Sequence, residues 1–132
     1  MRGLAIALVL LAGCSEDNKP SVDAAPGVQD AVADAPAAAT VVTVDCAGVT
    51  PAATVMTSNF AFTPGVVTIT VNAVVRFAPE SVHNVVPGAA PTDPGLRSGA
   101  LGEARCLRFT TAGTFNYRCQ PHPNMTGTIT VN

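Results

Sequence analysis

The sequence predicts an all-β fold, a two-sheet Greek-key sandwich of about eight strands that spans residues 41–132. Short runs rich in Val and Thr recur along this part of the chain, and turn residues separate them, with eleven Gly and eleven Pro in the whole sequence. Short β-prone runs with frequent turn residues between them are typical of a sandwich or barrel. A length of 132 residues favours one folded domain.

The strands follow one another closely in the predicted domain. They are expected, in chain order, near 41–45, 53–58, 66–71, 74–78, 82–86, 105–110, 114–119 and 126–131. Because side chains alternate between the two faces of a strand, Phe115, Tyr117 and Cys119 share one face of the seventh strand, which we expect to point into the core. Arg118 lies on the other face, where we expect it to be solvated.

Residues 1–13 are predicted to be a signal peptide. Arg2 precedes a run of about ten small or apolar residues, which is too short to cross a bilayer as a helix. The run ends in Leu11-Ala12-Gly13-Cys14, which resembles the bacterial lipobox and implies that Cys14 carries a lipid. The alternative is ordinary signal cleavage, with Cys14 left as an unmodified thiol. A lipid on Cys14 would anchor the protein in the bacterial cell envelope, in the periplasm or on the outer face of a membrane.

Residues 14–40 are predicted to be a disordered tether. The segment is rich in Ala, Pro and Asp and contains no aromatic residue, so it cannot bury enough surface to fold by itself. A flexible segment of this length has an r.m.s. reach of roughly 25–30 Å.

The predicted domain is mildly basic. Residues 46–132 hold five Arg against three acidic residues, although the formal net charge of the chain is −2. No basic stripe is present, which argues against nucleic-acid binding.

Four potential metal ligands stand out in the predicted domain. Cys119, His122 and Met125 recur at intervals of three residues, so a short loop can turn all three side chains toward one point. The only other histidine of the chain is His83. A Cys with two His and a weak axial Met is the ligand set of a blue-copper electron-transfer site. We therefore expect these four residues to bind one copper ion that cycles between Cu(I) and Cu(II).

From about residue 52 onward, the chain resembles the cupredoxins, or blue copper proteins, of the plastocyanin and amicyanin type. The resemblance rests on the pair His83-Asn84, on the segment from Tyr117 to Met125, and on the β-prone run that follows it. It implies a cupredoxin-like β-sandwich with copper as the cofactor.

The same resemblance implies roles for the residues around the metal. Asn84 is expected to brace the site, with its backbone N–H donating to the Cys119 sulfur and its side chain joining the two ligand segments. Pro121 has no N–H and cannot give the sulfur a second hydrogen bond, which should favour Cu(II) and lower the reduction potential. His122 is expected to be the exposed ligand, and redox partner proteins are expected to dock near it.

The remaining cysteines suggest a disulfide. With Cys14 assigned to a lipid and Cys119 to copper, Cys46 and Cys106 are left, and in an oxidising envelope compartment two such cysteines are most simply bonded to each other. The alternative is a zinc site built from Cys46, Cys106 and Cys119. The paired short spacings of structural zinc sites are absent, which argues against it.

The expected function is one-electron transfer by a membrane-tethered, monomeric carrier outside the cytoplasm. The alternative is a copper storage or delivery protein of the cell envelope without an electron-transfer role. An enzyme of the multicopper oxidase or nitrite reductase type is not expected, because such sites need further His ligands and both His of this chain are already used. A copper-free interaction domain would not need a complete ligand set.

Overall fold

The computed structural model describes residues 38–132, so the predicted signal peptide, the lipidation site at Cys14 and most of the tether lie outside the described residues. Nine strands and one short 3-10 helix follow residue 40 in the described part of the chain. The strands are β1 (Val41–Val44), β2 (Ala53–Ser58), β3 (Ala61–Thr63), β4 (Val66–Ile69), β5 (Val74–Ala78), β6 (Val86–Pro87), β7 (Arg105–Phe109), β8 (Gly113–Arg118) and β9 (Thr126–Val131), and the helix is Cys46–Gly48. No described helix has the length and apolar character needed to cross a membrane.

The strands form two sheets, as the sequence predicts. One sheet has five strands in the order β1-β7-β5-β2-β3, and the other has four in the order β4-β9-β8-β6. Two neighbouring pairs are parallel, β2 with β5 and β4 with β9, and the other pairs are antiparallel. From β3 to β8, consecutive strands alternate between the two sheets, and the core forms where buried side chains of both sheets meet.

Tyr117 lies at the centre of this core. Its side chain is fully buried, and its ring contacts those of Phe62 and Phe77 from the opposite sheet, with centroids 4.8 and 5.3 Å away. Gly127 on the neighbouring strand leaves room for the phenol, because a Cβ there would collide with it. Phe115 and Cys119 are buried on the same side, so the predicted inward face of β8 is confirmed.

Two strand predictions need correction. Strand β3 was not predicted. Its hairpin with β2 turns through Asn59 and Phe60, which have positive φ of 50° and 58° although neither is Gly, so the usual turn signal is missing. The strand predicted at 82–86 is also wrong over most of its length, since pairing begins only at Val86. Val85 is instead hydrogen-bonded to the long loop between β6 and β7. The Ser98 hydroxyl accepts from the N–H of Val85, and the Ser98 N–H donates to the Val85 carbonyl.

At one end of the sandwich, Asp93 fastens the start of β1. Asp93 is 4% exposed, and its carboxylate accepts hydrogen bonds from the N–H and hydroxyl of Thr40, from the N–H of Val41 and from the N–H of Gly95. Burial raises the pKa of Asp93, but these hydrogen bonds outweigh it and hold the pKa below its usual value. Thr110, in the turn between β7 and β8, donates to the Thr40 carbonyl at the same end.

A disulfide joins Cys46 and Cys106, with the Cα atoms 5.3 Å apart and a sequence separation of 60. It links the 3-10 helix after β1 to strand β7 of the same sheet. Cys119 is the free cysteine of the described residues, which removes the alternative zinc site because that site needs the same two thiols.

Candidate metal centre

The candidate centre lies at the end of the sandwich opposite to Thr40, because β8 begins next to the Thr110 turn and ends at Arg118. Cys119 follows directly, continues the inward face of the strand and is fully buried. The loop after it is closed by two backbone hydrogen bonds, from the N–H of Cys119 to the carbonyl of Met125 and from the N–H of Met125 to the carbonyl of His122. This tight loop returns the chain into β9.

Three donor atoms of predicted ligands converge. The Cys119 Sγ lies 3.6 Å from His83 Nδ1 and 3.7 Å from His122 Nδ1, and the two nitrogens are 3.2 Å apart. Atoms with these separations each lie about 2.0 Å from their common centre, close to a metal–nitrogen bond of about 2.0–2.1 Å and slightly shorter than a metal–sulfur bond of about 2.3 Å. The chain therefore places one thiol and two imidazoles at coordination distance from a single point.

Met125, the fourth predicted ligand, is buried next to this cluster. Its side chain is 4% exposed, and its backbone is hydrogen-bonded to both Cys119 and His122. The structure thus brings all four predicted residues to one end of the sandwich.

His83 is held by a loop and not by a strand, which corrects the expectation that it lies in a strand. Its N–H donates to the carbonyl of Glu80 in a tight turn, and its own carbonyl accepts from the N–H of Gly102. Ser98 holds Val85, two residues further along. Contacts of Ser98 and Gly102 with the His83 segment were not predicted, since no local pattern connects residues so far apart in sequence.

Asn84 joins the two ligand segments, as expected from the resemblance to cupredoxins. Its Oδ1 accepts from the N–H of Gln120 at 2.9 Å, and its Nδ2 donates to the Gln120 Oε1 at 3.2 Å. The same Oδ1 lies 3.9 Å from the Cys119 Sγ. The hydrogen bond expected from the Asn84 backbone N–H to that sulfur stays a prediction, as does the effect of Pro121 on the reduction potential.

The two histidines differ in exposure. His83 is 2% exposed, whereas His122 is half-buried and lies between the exposed Pro121 and Pro123. Leu101 is also exposed, and with Pro121 it lines an open cleft of about 650 Å³ beside Asn84. Of the two imidazoles, His122 is therefore the one that another molecule can approach.

Phe60 is a further residue of this end that the ligand pattern did not reveal. Its ring is 65% exposed and meets both histidines edge to face, with centroids 5.0 Å from His122 and 5.6 Å from His83. The residue has a left-handed backbone, which costs a non-Gly residue roughly 1–2 kcal/mol. A positive φ at a bulky residue is a feature of the structure and not of the sequence, so no sequence pattern marked Phe60.

The donor set matches copper better than other common metals. One thiol and two imidazoles with a nearby thioether are the ligands of blue-copper centres, whereas Mg²⁺ and Ca²⁺ prefer oxygen and structural zinc sites use four strong ligands. The Cys119 thiol would be deprotonated on binding, because the thiolate is the form that binds metals.

Comparisons with known proteins agree with this chemistry. The family model of copper binding proteins, plastocyanin/azurin family, matches residues 49–132. The fold is similar to that of amicyanin from Paracoccus versutus, with 24% identity and a TM-score of 0.57 over 72% of this chain and 100% of that chain. The reduced Cu(I) form at pH 4 of an amicyanin mutant matches with 25% identity and a TM-score of 0.54, over 70% of this chain and 99% of that chain. Among curated proteins there is no match.

The family match includes both segments that carry the candidate ligands, and copper is accordingly the cofactor. Because the match extends over more than half of the sequence and over nearly all of the sandwich, this chain belongs to the plastocyanin/azurin family of copper binding proteins.

Proposed function

We propose that this protein is a one-electron carrier, tethered by lipid to a membrane of the bacterial cell envelope, and not an enzyme. The observation that carries the proposal is the convergence of the Cys119 thiol with the imidazoles of His83 and His122. Bound copper would supply the Cu(II)/Cu(I) couple. The protein contributes the ligands, their orientation and the path by which a partner reaches them.

We assign His83, Cys119, His122 and Met125 as the ligands. The first three offer donor atoms within 4.8 Å of one another, and Met125 is buried in the same loop as two of them. A thiolate, two imidazoles and a weak axial thioether accept both oxidation states of copper, with the axial ligand and hydrogen bonds to sulfur tuning the potential.

The surroundings of the ligands favour a site that changes little when an electron passes. The His83 backbone is fixed at both its N–H and its carbonyl, and Asn84 bonds to the segment that follows Cys119. Each of these contacts ties a ligand segment to another part of the fold. Copper can then gain or lose an electron without a large movement of its ligands.

His122 is the proposed site where electrons enter and leave. Its imidazole is half-buried, whereas that of His83 is covered, and the exposed side chains around it are mostly apolar. A partner protein that docks over Pro121 and Pro123 would approach the imidazole without having to move the chain.

Copper storage or delivery is the competing function. Delivery proteins commonly use exposed Met clusters that release the metal, but Met56 and Met125 are the only methionines after Met1. Cyclic voltammetry of the copper-loaded protein with a strong Cu(I) chelator separates the two. A reversible wave that persists near neutral pH supports the electron carrier, whereas loss of the wave on first reduction, with copper recovered in the chelator, indicates delivery.

The anchor is proposed from the sequence alone, on the lipobox-like run that ends at Cys14. Expression of Cys14→Ala in a bacterial host tests it. We expect the variant to be released from membranes or to remain unprocessed, and membrane association that is unchanged after detergent-free washing would refute the anchor.

A further inference from the structure

A second cleft adjoins the segment that carries the Cys119 ligand. It has a volume of about 280 Å³ and is lined by Val86, Pro87, Arg97, Arg118 and Gln120. Gln120 also lines the apolar cleft that contains Leu101, so the two clefts share this residue. The surface at the end with the metal centre thus has an apolar cleft and a basic cleft next to each other.

The two arginines of the cleft donate to backbone carbonyls only, as far as the contacts of residues 38–132 show. Arg97 Nε donates to the carbonyl of Pro94 at 3.1 Å, and an Nη of Arg118 donates to the carbonyl of Cys119 at 3.3 Å. The one ion pair in this part of the chain joins Arg105 to Glu103. Because a guanidinium has five N–H donors, each of the two arginines keeps most of its capacity for an anion.

The carboxylates of the described domain mostly have partners other than the arginines of this cleft. Asp45 caps the 3-10 helix, Asp93 accepts four hydrogen bonds at the opposite end, and Glu103 bonds to Ala100 and Arg105. Glu80 is the fourth acidic residue of this part of the chain. The positive charge of the cleft is therefore not neutralised by a carboxylate contact within the described domain.

We infer that this cleft receives carboxylate side chains of an acidic redox partner that docks over His122. The inference rests on the proposed electron-transfer function. Guanidinium groups bind carboxylates in a fixed geometry, and a cleft of this size suits a side chain and not a large cofactor. The neighbouring apolar cleft would supply the dry centre of the interface, and the arginines would supply a charged rim that steers the encounter.

Arg118 gives the contact a position close to the metal ligands. It precedes Cys119 in the chain and donates to the carbonyl of that residue. A carboxylate bound there would bring the partner's surface to the end of the sandwich at which His122 is accessible.

The test compares two small oxidants of opposite charge on the reduced, copper-loaded full-length chain. Ferricyanide takes one electron from Cu(I) and becomes ferrocyanide, and tris(phenanthroline)cobalt(III) takes one electron and becomes the cobalt(II) complex. In the double variant Arg97→Gln/Arg118→Gln, we expect the ferricyanide rate at low ionic strength to fall about tenfold, because the cleft no longer concentrates anions near the ligands. The rate with the cobalt complex is expected to stay the same or rise.

The matched control is Arg76→Gln/Arg108→Gln, which removes the same charge from β5 and β7 in the other sheet. An equal slowing in both double variants would show that net charge alone is responsible and would overturn the inference. If the visible band and the reversible wave are intact but neither variant changes the ferricyanide rate, the cleft proposal fails and the electron-carrier proposal stands.

A competition experiment identifies the source of the carboxylate. A hexaglutamate peptide is expected to slow the ferricyanide reaction of the wild-type protein and not that of the cleft variant, while inorganic phosphate at equal ionic strength has no effect. Competition by phosphate but not by the peptide would indicate a site for a free anion and would refute partner docking.

Discussion

At the end of the sandwich where Thr40 leads into β1, the buried carboxylate of Asp93 accepts four hydrogen bonds. At the other end, Cys119, His83 and His122 direct their donor atoms at one another. Both groups are polar and largely buried in an apolar fold. In the first group the protein itself satisfies the polar atoms, so it holds the chain in place, whereas in the second the ligand atoms surround a point that a metal can occupy.

Replacing the Cys119 thiol should distinguish the roles of the two ends with the largest effect. Cys119→Ser is expected to abolish the intense visible band of the Cu(II) protein, because that band requires a thiolate bound to copper. The free energy of unfolding of the metal-free protein should change by about 1 kcal/mol or less. Absorption spectra and urea unfolding measure the two effects. Colour that survives the substitution would contradict the ligand assignment.

Asp93→Asn is expected to lower the stability of the fold and to leave the copper site intact. An amide presents an NH₂ group where one carboxylate oxygen accepts, so backbone donors of Thr40 or Gly95 lose their partner, at a cost of about 1–3 kcal/mol in unfolding free energy. The visible band should be unchanged. Glu103→Gln is the control, since that carboxylate is exposed and its loss should have a much smaller effect on stability.

The Asp93 contribution should also depend on pH in a defined direction. Because its pKa is lowered in the folded protein, the carboxylate stabilises the fold fully above its unfolded pKa of about 3.9 and loses this effect as the pH falls through the lower folded value. The stability difference between wild type and Asp93→Asn should therefore be constant near neutral pH and shrink below about pH 4. A difference that grows on acidification would contradict the proposed hydrogen-bonding role.

The smallest expected effect concerns Phe60, where strain and ligand contact coincide. Phe60→Ala and Phe60→Gly both remove the ring from His122, so we expect them to shift the reduction potential in the same direction. Only Gly also relieves the left-handed backbone, and the Gly variant should be about 1 kcal/mol more stable than the Ala variant. Equal stabilities would mean that the turn is not strained.

The ligand set could be predicted because three of the ligands are closely spaced in sequence and the chain has only two histidines. Cys119, His122 and Met125 lie within one loop, and His83 is the only other histidine. The strands with regular alternation, such as β8, were predicted to within a residue or two because alternation is also a local pattern.

The hydrogen bonds that fasten the two ends of the sandwich could not be predicted, because they join residues that are far apart in sequence. Asp93 bonds to Thr40 across 53 residues, and Ser98 reaches Val85 from a loop without a regular pattern. The apolar residues around His83 suggested a strand, yet Val82 is exposed and Val85 is buried and hydrogen-bonded to that loop. The hairpin at Phe60 was missed because its turn is Asn59-Phe60, and Phe, unlike Gly, rarely adopts a left-handed backbone at the second turn position.

The length of β8 also sets the distance between Thr40 and the metal centre. The six residues of β8 separate the Thr110 turn from Cys119, a distance of about 20 Å in an extended strand. The metal centre and the start of β1 therefore lie at opposite ends of the domain. With the proposed anchor on the N-terminal side of Thr40, the end that carries His122 would be the one left open to a partner.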